Sequence, residues 1–122
     1  MKKIGQFDFG TRSVDLFWKE GAGGQFYMNH ESDGQARIVL GINERSWGAQ
    51  VAVLLHEALE LAMADHACRF NPAQDYSWDS ANYLFVMNHP QFSEIVARVG
   101  LYVSNCLPAL SQVYKAQNKR KK

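Results

Sequence analysis

Three side chains near the middle of the sequence belong to residue types that bind metal ions and transfer protons. Residues 51–64 read V-A-V-L-L-H-E-A-L-E-L-A-M-A, and the polar ones are His56, Glu57 and Glu60. In a helix of about 100° per residue, Glu60 lies about 40° and Glu57 about 100° from His56, so the three share one arc. A helix that is otherwise apolar all round is expected to lie buried in its domain. A groove of mostly small residues is predicted on or beside this arc: Ala49, Ala52, Val53, Met63, Ala64 and Ala67.

The spacing of these residues favours a metal site. Burial of an imidazole and two carboxylates costs several kcal/mol unless a cation, a hydrogen-bond network or solvent compensates. His56 and Glu60, at positions i and i+4, point the same way and can share one divalent ion. Glu57 is placed one step around the helix, where it can act as general base toward water at that ion. Imidazole and carboxylate together suit zinc or manganese.

The motif L-L-H-E-A-L-E-L-A at residues 54–62 resembles that of the minimal zincin-like metallopeptidases, small versions of which occur in phage and bacterial proteins. The order of predicted elements extends the resemblance over residues 14–105. It implies that His56 and Glu60 hold the metal, that Glu57 activates water, and that the activity is peptide or amide hydrolysis. The sequence departs from the family pattern at Glu60, where the family has His.

A third protein ligand is expected from the later part of the chain, as in the family. His89 is the first candidate, because Asn88-His89-Pro90 is typical of a helix start, where a side chain can point back at the central helix. Glu94 is the second candidate. His66 is explained by a favourable dipole interaction at a helix end, and His30 is expected to face solvent.

Two alternatives stay open at this point. The group can be structural, with a buried His56–Glu60 hydrogen bond, Glu57 reaching the surface at the helix edge, and His89 a capping or surface residue. The protein can also be a non-enzymatic binding module, a phage accessory or anti-defence protein that binds a host protein on a degenerate zincin-like scaffold.

The elements that must position the group indicate an α+β fold, with a small antiparallel β-meander packed on a central helix. The helix is predicted to begin at Asn43 or Ser46 and to continue to about Phe70, before Asn71-Pro72. Residues 83–87 fit either a short strand or a helical turn. The predicted strands, with the first only a candidate, span residues 4–9, 14–20, 25–30 and 36–42. The stretch Gly21-Ala22-Gly23-Gly24 is predicted to form a turn between the second and the third of these strands.

The carboxyl-terminal part is predicted to contain a helix over 91–105 and a last segment, begun or kinked at Pro108, that ends at Tyr114. Residues 1–114 are thus expected to form one zincin-like domain, and 115–122 a basic flexible tail. That tail allows weak nucleic-acid contacts at most.

Composition favours an ordinary cytoplasmic globular protein, with a formal net charge of +1 and no apolar run long enough to span a membrane. The zincin-like resemblance, not the composition, implies a peptide or a host protein as the partner. The two cysteines, Cys68 and Cys106, are expected to be core or near-surface thiols. Tyr76, Trp78 and Tyr83 stand in or beside a polar loop and are candidates for the rim of a cleft.

Overall fold

The α+β class is confirmed by a computed structural model that describes residues 1–28, 34–66, 68–70 and 84–119. Four strands precede a central helix, and two short strands and a second, longer helix follow it. Tyr76, Trp78, Tyr83 and His30 lie outside the described residues. In chain order the elements are β1 Lys2–Asp8, β2 Ser13–Lys19, β3 Gly24–Tyr27, β4 Arg37–Gly41, α1 Trp47–Asp65, β5 Arg69–Phe70, β6 Leu84–Phe85 and α2 His89–Lys119.

The sheet is mixed, so the predicted antiparallel meander is wrong. Its strand order is β1-β2-β4-β3, with β2 and β4 parallel and the other two pairs antiparallel. All five residues of β4 are buried, which is typical of a strand with neighbours on both sides and apolar groups on both faces. Burial of β4 therefore favours its insertion between β2 and β3 over a simple hairpin of those two strands.

The glycine-rich segment between β2 and β3 makes this insertion possible. Gly21 and Gly23 have φ angles of 101° and 82°, which side chains disfavour. The segment curls around the end of β4, where the Gly41 N–H donates to the Gly23 carbonyl at 2.7 Å. The Asn43 N–H donates to the Gly21 carbonyl at 2.8 Å, and the Asn43 side chain accepts from the Gly21 N–H. The predicted turn is thus present, but it wraps a third strand instead of joining two paired ones.

Helix α1 begins as predicted and ends earlier than predicted. The Ser46 hydroxyl caps it by accepting from the Ala49 N–H at 3.0 Å. The helix ends at Asp65, not near Phe70, because the chain turns at His66 to bury Cys68. The Cys68 N–H then donates to the Met63 carbonyl, and β5 pairs with β6 in an antiparallel ladder. The short strand is therefore the correct alternative for residues 84–85.

Helix α2 is one continuous element of 31 residues, so Pro108 does not begin a separate last segment. Its start is as predicted: Asn88 and Gln91 exchange side chain to backbone hydrogen bonds in both directions, in the manner of a capping box. Pro108 is exposed, so its ring and missing N–H are accommodated on the solvent side. Within the described residues, no helix is both long and apolar enough to cross a membrane.

The first five residues of the predicted tail continue α2 instead of fraying. The Asn118 side chain donates to the Ile42 carbonyl at 3.1 Å, and the Tyr114 hydroxyl donates to the Glu44 carbonyl at 3.0 Å. These bonds fasten the end of α2 to the segment that leads into α1. Residues 120–122 lie outside the described residues.

The core lies between the sheet and the two helices, and α2 contributes a buried polar pair to it. Tyr102 and Cys106 are both fully buried. The Tyr102 ring packs edge-on against the Phe9 ring, with 5.1 Å between the ring centroids. The Tyr102 hydroxyl donates to the Val14 carbonyl at 3.4 Å. Burial raises the pKa of the Cys106 thiol to about 12 and the pKa of Tyr102 well above its ordinary range. Both cysteines are core thiols, as the sequence predicts.

We expect the free energy of unfolding to fall as pH rises above about 9. The folded protein keeps the Cys106 and Tyr102 protons, whereas the unfolded chain loses them, so the stabilisation is complete at lower pH and decreases through the alkaline range. For Cys106 alone, the loss between about pH 8 and about pH 10.5 is about 2 kcal/mol. Urea denaturation at the two pH values measures this loss. In Cys106→Ala, the part of the loss that comes from the Cys106 thiol should be absent. Equal stability at both pH values would contradict the prediction.

Candidate metal site on helix α1

His56, Glu57 and Glu60 come together at one edge of α1, where strand β3 covers Glu57 and His56 faces solvent. His56 and Glu60 face each other across one turn, with 3.2 Å between Nε2 and Oε2. The His56 side chain is 66% exposed and that of Glu60 is 23% exposed. Neighbouring Leu55 is also exposed, so the expectation of a helix buried all round is wrong. The sheet and α2 cover two sides of α1 and leave the third open.

Glu57 lies deeper than its neighbours and is only 6% exposed. Strand β3 packs against it at Gly24, where an added Cβ would lie 3.0 Å from Glu57 Cγ and 2.9 Å from Val53 Cγ1. The structural alternative placed the His56–Glu60 contact inside the protein and Glu57 at the surface. The contact exists, but the burial is reversed, because β3 covers the Glu57 side of the helix.

The donor atoms of the group lie close enough together that they could hold one divalent ion. One atom each from His56, Glu57 and Glu60 lies within 4.8 Å of the other two. Two ligands bound at about 2.0–2.1 Å in tetrahedral geometry are about 3.3 Å apart, close to the 3.2 Å between the His56 and Glu60 atoms. One imidazole and two carboxylates form a donor set that suits zinc or manganese.

An open depression of about 380 Å³ lies directly beside the group. His56 and Glu57 form its polar part, and Ala52 and Val53 belong to the small-residue groove that the sequence predicts. The opposite wall, Gly23 and Gly24, was missed by the sequence analysis, which treated these glycines only as a turn. The parallel pairing of β2 with β4 brings that wall to α1, and nothing in the local sequence indicates such pairing.

The structure does not bring the predicted third ligand to this group. His89 is exposed at the first position of α2, with its ring 6.5 Å from that of Phe92. The Gln91 side chain donates to the His66 carbonyl, so the start of α2 lies beside the end of α1. That end is about 15 Å along the helix from His56. Glu94, the second candidate, is also an exposed residue of α2.

His66 occupies the carboxyl-terminal cap position of α1, near the helix end as predicted. Among the described residues, its buried Nε2 has no hydrogen-bond partner. His66 is not part of the group of donor atoms that lie within 4.8 Å of one another.

Comparison of the chain with models of protein families, with characterised proteins and with solved structures gave no match. The functional interpretation therefore depends on the chemistry of the site.

Proposed function

We propose that the protein binds one divalent metal ion through His56 and Glu60 and uses it for the hydrolysis of peptide or amide bonds. The observation that supports this proposal is the convergence of one imidazole and two carboxylates within 4.8 Å at the edge of an open depression. Among the described residues, this is the one group of three such side chains close enough to share an ion.

In the proposed chemistry, the metal ion would act as a Lewis acid and Glu57 as the general base. A bound zinc or manganese ion would supply Lewis acidity, which polarises a carbonyl group and makes water easier to deprotonate. Glu57 lies beside the two proposed ligands and has a buried carboxylate, so it is placed to accept the proton of the attacking water. The exposed side of His56 leaves the site open to a substrate.

Metal binding is tested by calorimetric titration of metal-free protein with zinc and with manganese. We expect one ion per chain, with affinity reduced about 100-fold or more in His56→Ala and in Glu60→Gln, because each loses a direct ligand. His89→Ala is the matched control, and we expect it to bind like the wild type, since His89 stands apart from the group. Binding should also weaken on acidification, because protons compete with the metal for these ligands.

Each other outcome has a definite meaning for the proposal. If the wild type binds neither ion, the group is an ion pair on the helix surface and the proposed hydrolase is wrong. If His89→Ala loses the metal as His56→Ala does, His89 is the third ligand after all and α2 must approach the site.

A further inference from the structure

Helix α2 has an exposed surface with almost no charge over five turns. Between Glu94 and Lys115 the one charged residue is Arg98. Arg98 points inward: its side chain is 13% exposed, and Nη1 lies 3.9 Å from Oδ2 of Asp65 in α1. We call the exposed residues of this stretch the outer face of α2: Val96, Ala97, Gly100, Leu101, Ser104, Asn105, Pro108 and Gln112.

This composition is unusual for a helix that faces solvent. About a quarter of the residues in a typical domain are charged, and they concentrate on the exposed sides of helices. Glu94 and Lys115, the charged residues at the two ends of this stretch, lie outside the first and last turns of α2, where the helix dipole acts. The dipole gives no reason for the lack of charge between them. A surface that a partner covers in solution does give such a reason.

We propose that the outer face of α2 packs against the same face of a second copy of this chain, with the two helices antiparallel. In this arrangement the two-fold axis passes beside Ser104 and Asn105. Glu94, the only acidic residue of α2, then meets Lys115 of the second copy. In the same register, Leu101 meets Pro108 of the second copy. Each charged side chain therefore faces one of opposite charge, and each apolar side chain faces another apolar one.

The backbone at the proposed axis supports this arrangement. Because Pro108 has no N–H, the carbonyl of Ser104 lacks the donor that a regular helix would supply. The Ser104 hydroxyl does not replace it, since it donates to the Leu101 carbonyl at 3.0 Å. The exposed amide of Asn105 from the second copy would supply a donor to this carbonyl. A Cβ added at Gly100 would meet no atom within 4 Å, so a second helix can approach closely there.

The size of the surface sets the expected strength of the dimer. The stretch from Glu94 to Lys115 is about 32 Å long at 1.5 Å per residue. A single pair of helices of that length gives an interface at the small end of the range for specific complexes. We therefore expect a reversible dimer with a dissociation constant in the micromolar range.

Sedimentation equilibrium of the full chain, from about 5 μM to about 500 μM, measures this association. We expect a monomer–dimer equilibrium that Ser104→Arg abolishes, because two arginines would meet at the axis. Ser104 is exposed, so the change leaves the core intact. Gln25→Arg is the control, since Gln25 is an exposed residue of strand β3 and does not belong to α2. It should dimerise like the wild type.

A charge exchange tests the antiparallel orientation. Glu94→Lys should weaken the dimer about 10-fold, and addition of Lys115→Glu should restore it, with circular dichroism confirming equal helix content. A wild-type chain that stays monomeric at every concentration overturns the proposal. A dimer that persists in Ser104→Arg also overturns it, and so does a failure of the double variant Glu94→Lys/Lys115→Glu to regain the wild-type affinity. The dimer does not depend on metal binding, so neither result decides the other.

Discussion

Replacement of Glu57 by Gln should abolish hydrolysis while leaving both the metal and the fold in place. Gln has the same shape as Glu but cannot accept a proton, and general-base catalysis typically contributes about 10²–10⁴-fold to a rate. The proposed ligands His56 and Glu60 contact each other directly at 3.2 Å, and Glu57 lies beside them. We therefore expect cleavage of dye-labelled casein by the zinc-loaded protein to fall at least about 100-fold.

Two further measurements make this result specific. Calorimetric titration should show that Glu57→Gln still binds one ion per chain, and thermal melting should show a folded protein. Glu20→Gln is the matched control, the same chemical change at an exposed residue after β2, and it should keep the wild-type rate. Equal rates in Glu57→Gln and the wild type would show that Glu57 is not the base. A zinc-loaded wild type that does not cleave casein or other peptides would restrict the proposal to metal binding.

Local sequence signals predicted the elements well and their arrangement poorly. Segments rich in apolar and aromatic residues, bounded by turn glycines, located the four strands of the main sheet, with the first only a candidate, and Ser46 located the start of α1. The order of the strands could not be predicted in this way. It depends on contacts between segments distant in sequence, such as those of the Gly21–Gly24 stretch with the end of β4. For the same reason, the pairing that ends α1 before Phe70 was missed.

The candidate site shows the same division between local and distant information. Helical spacing alone brings His56, Glu57 and Glu60 together, so their grouping could be predicted. The burial of each residue could not be predicted, because it depends on which side of α1 the sheet covers. Gly24 decides this by packing against Glu57 and leaving His56 in solvent. His89 is not part of this group, because α2 begins at the far end of α1.

Gly41 offers a direct test of the strand arrangement that builds the wall of the depression. A Cβ at this position would lie 2.5–2.6 Å from backbone atoms of Gly21 and Ala22. Backbone atoms cannot rotate away as a side chain can, so the loop around β4 would have to move. We expect Gly41→Ala to lower the free energy of unfolding by about 3 kcal/mol, at the upper end of the usual cost of overpacking.

Urea denaturation at neutral pH measures this loss, with Gly48→Ala as the control. Gly48 is exposed in the first turn of α1, and the nearest atom to an added Cβ is the Ser46 hydroxyl at 4.0 Å. That change should therefore raise stability by up to about 1 kcal/mol through helix propensity. Because Gly23 and Gly24 line the depression, Gly41→Ala should also reduce casein cleavage at temperatures where the variant is still folded. A fully stable Gly41→Ala protein would show that the loop does not close over β4, and the proposed wall of the site would then be absent.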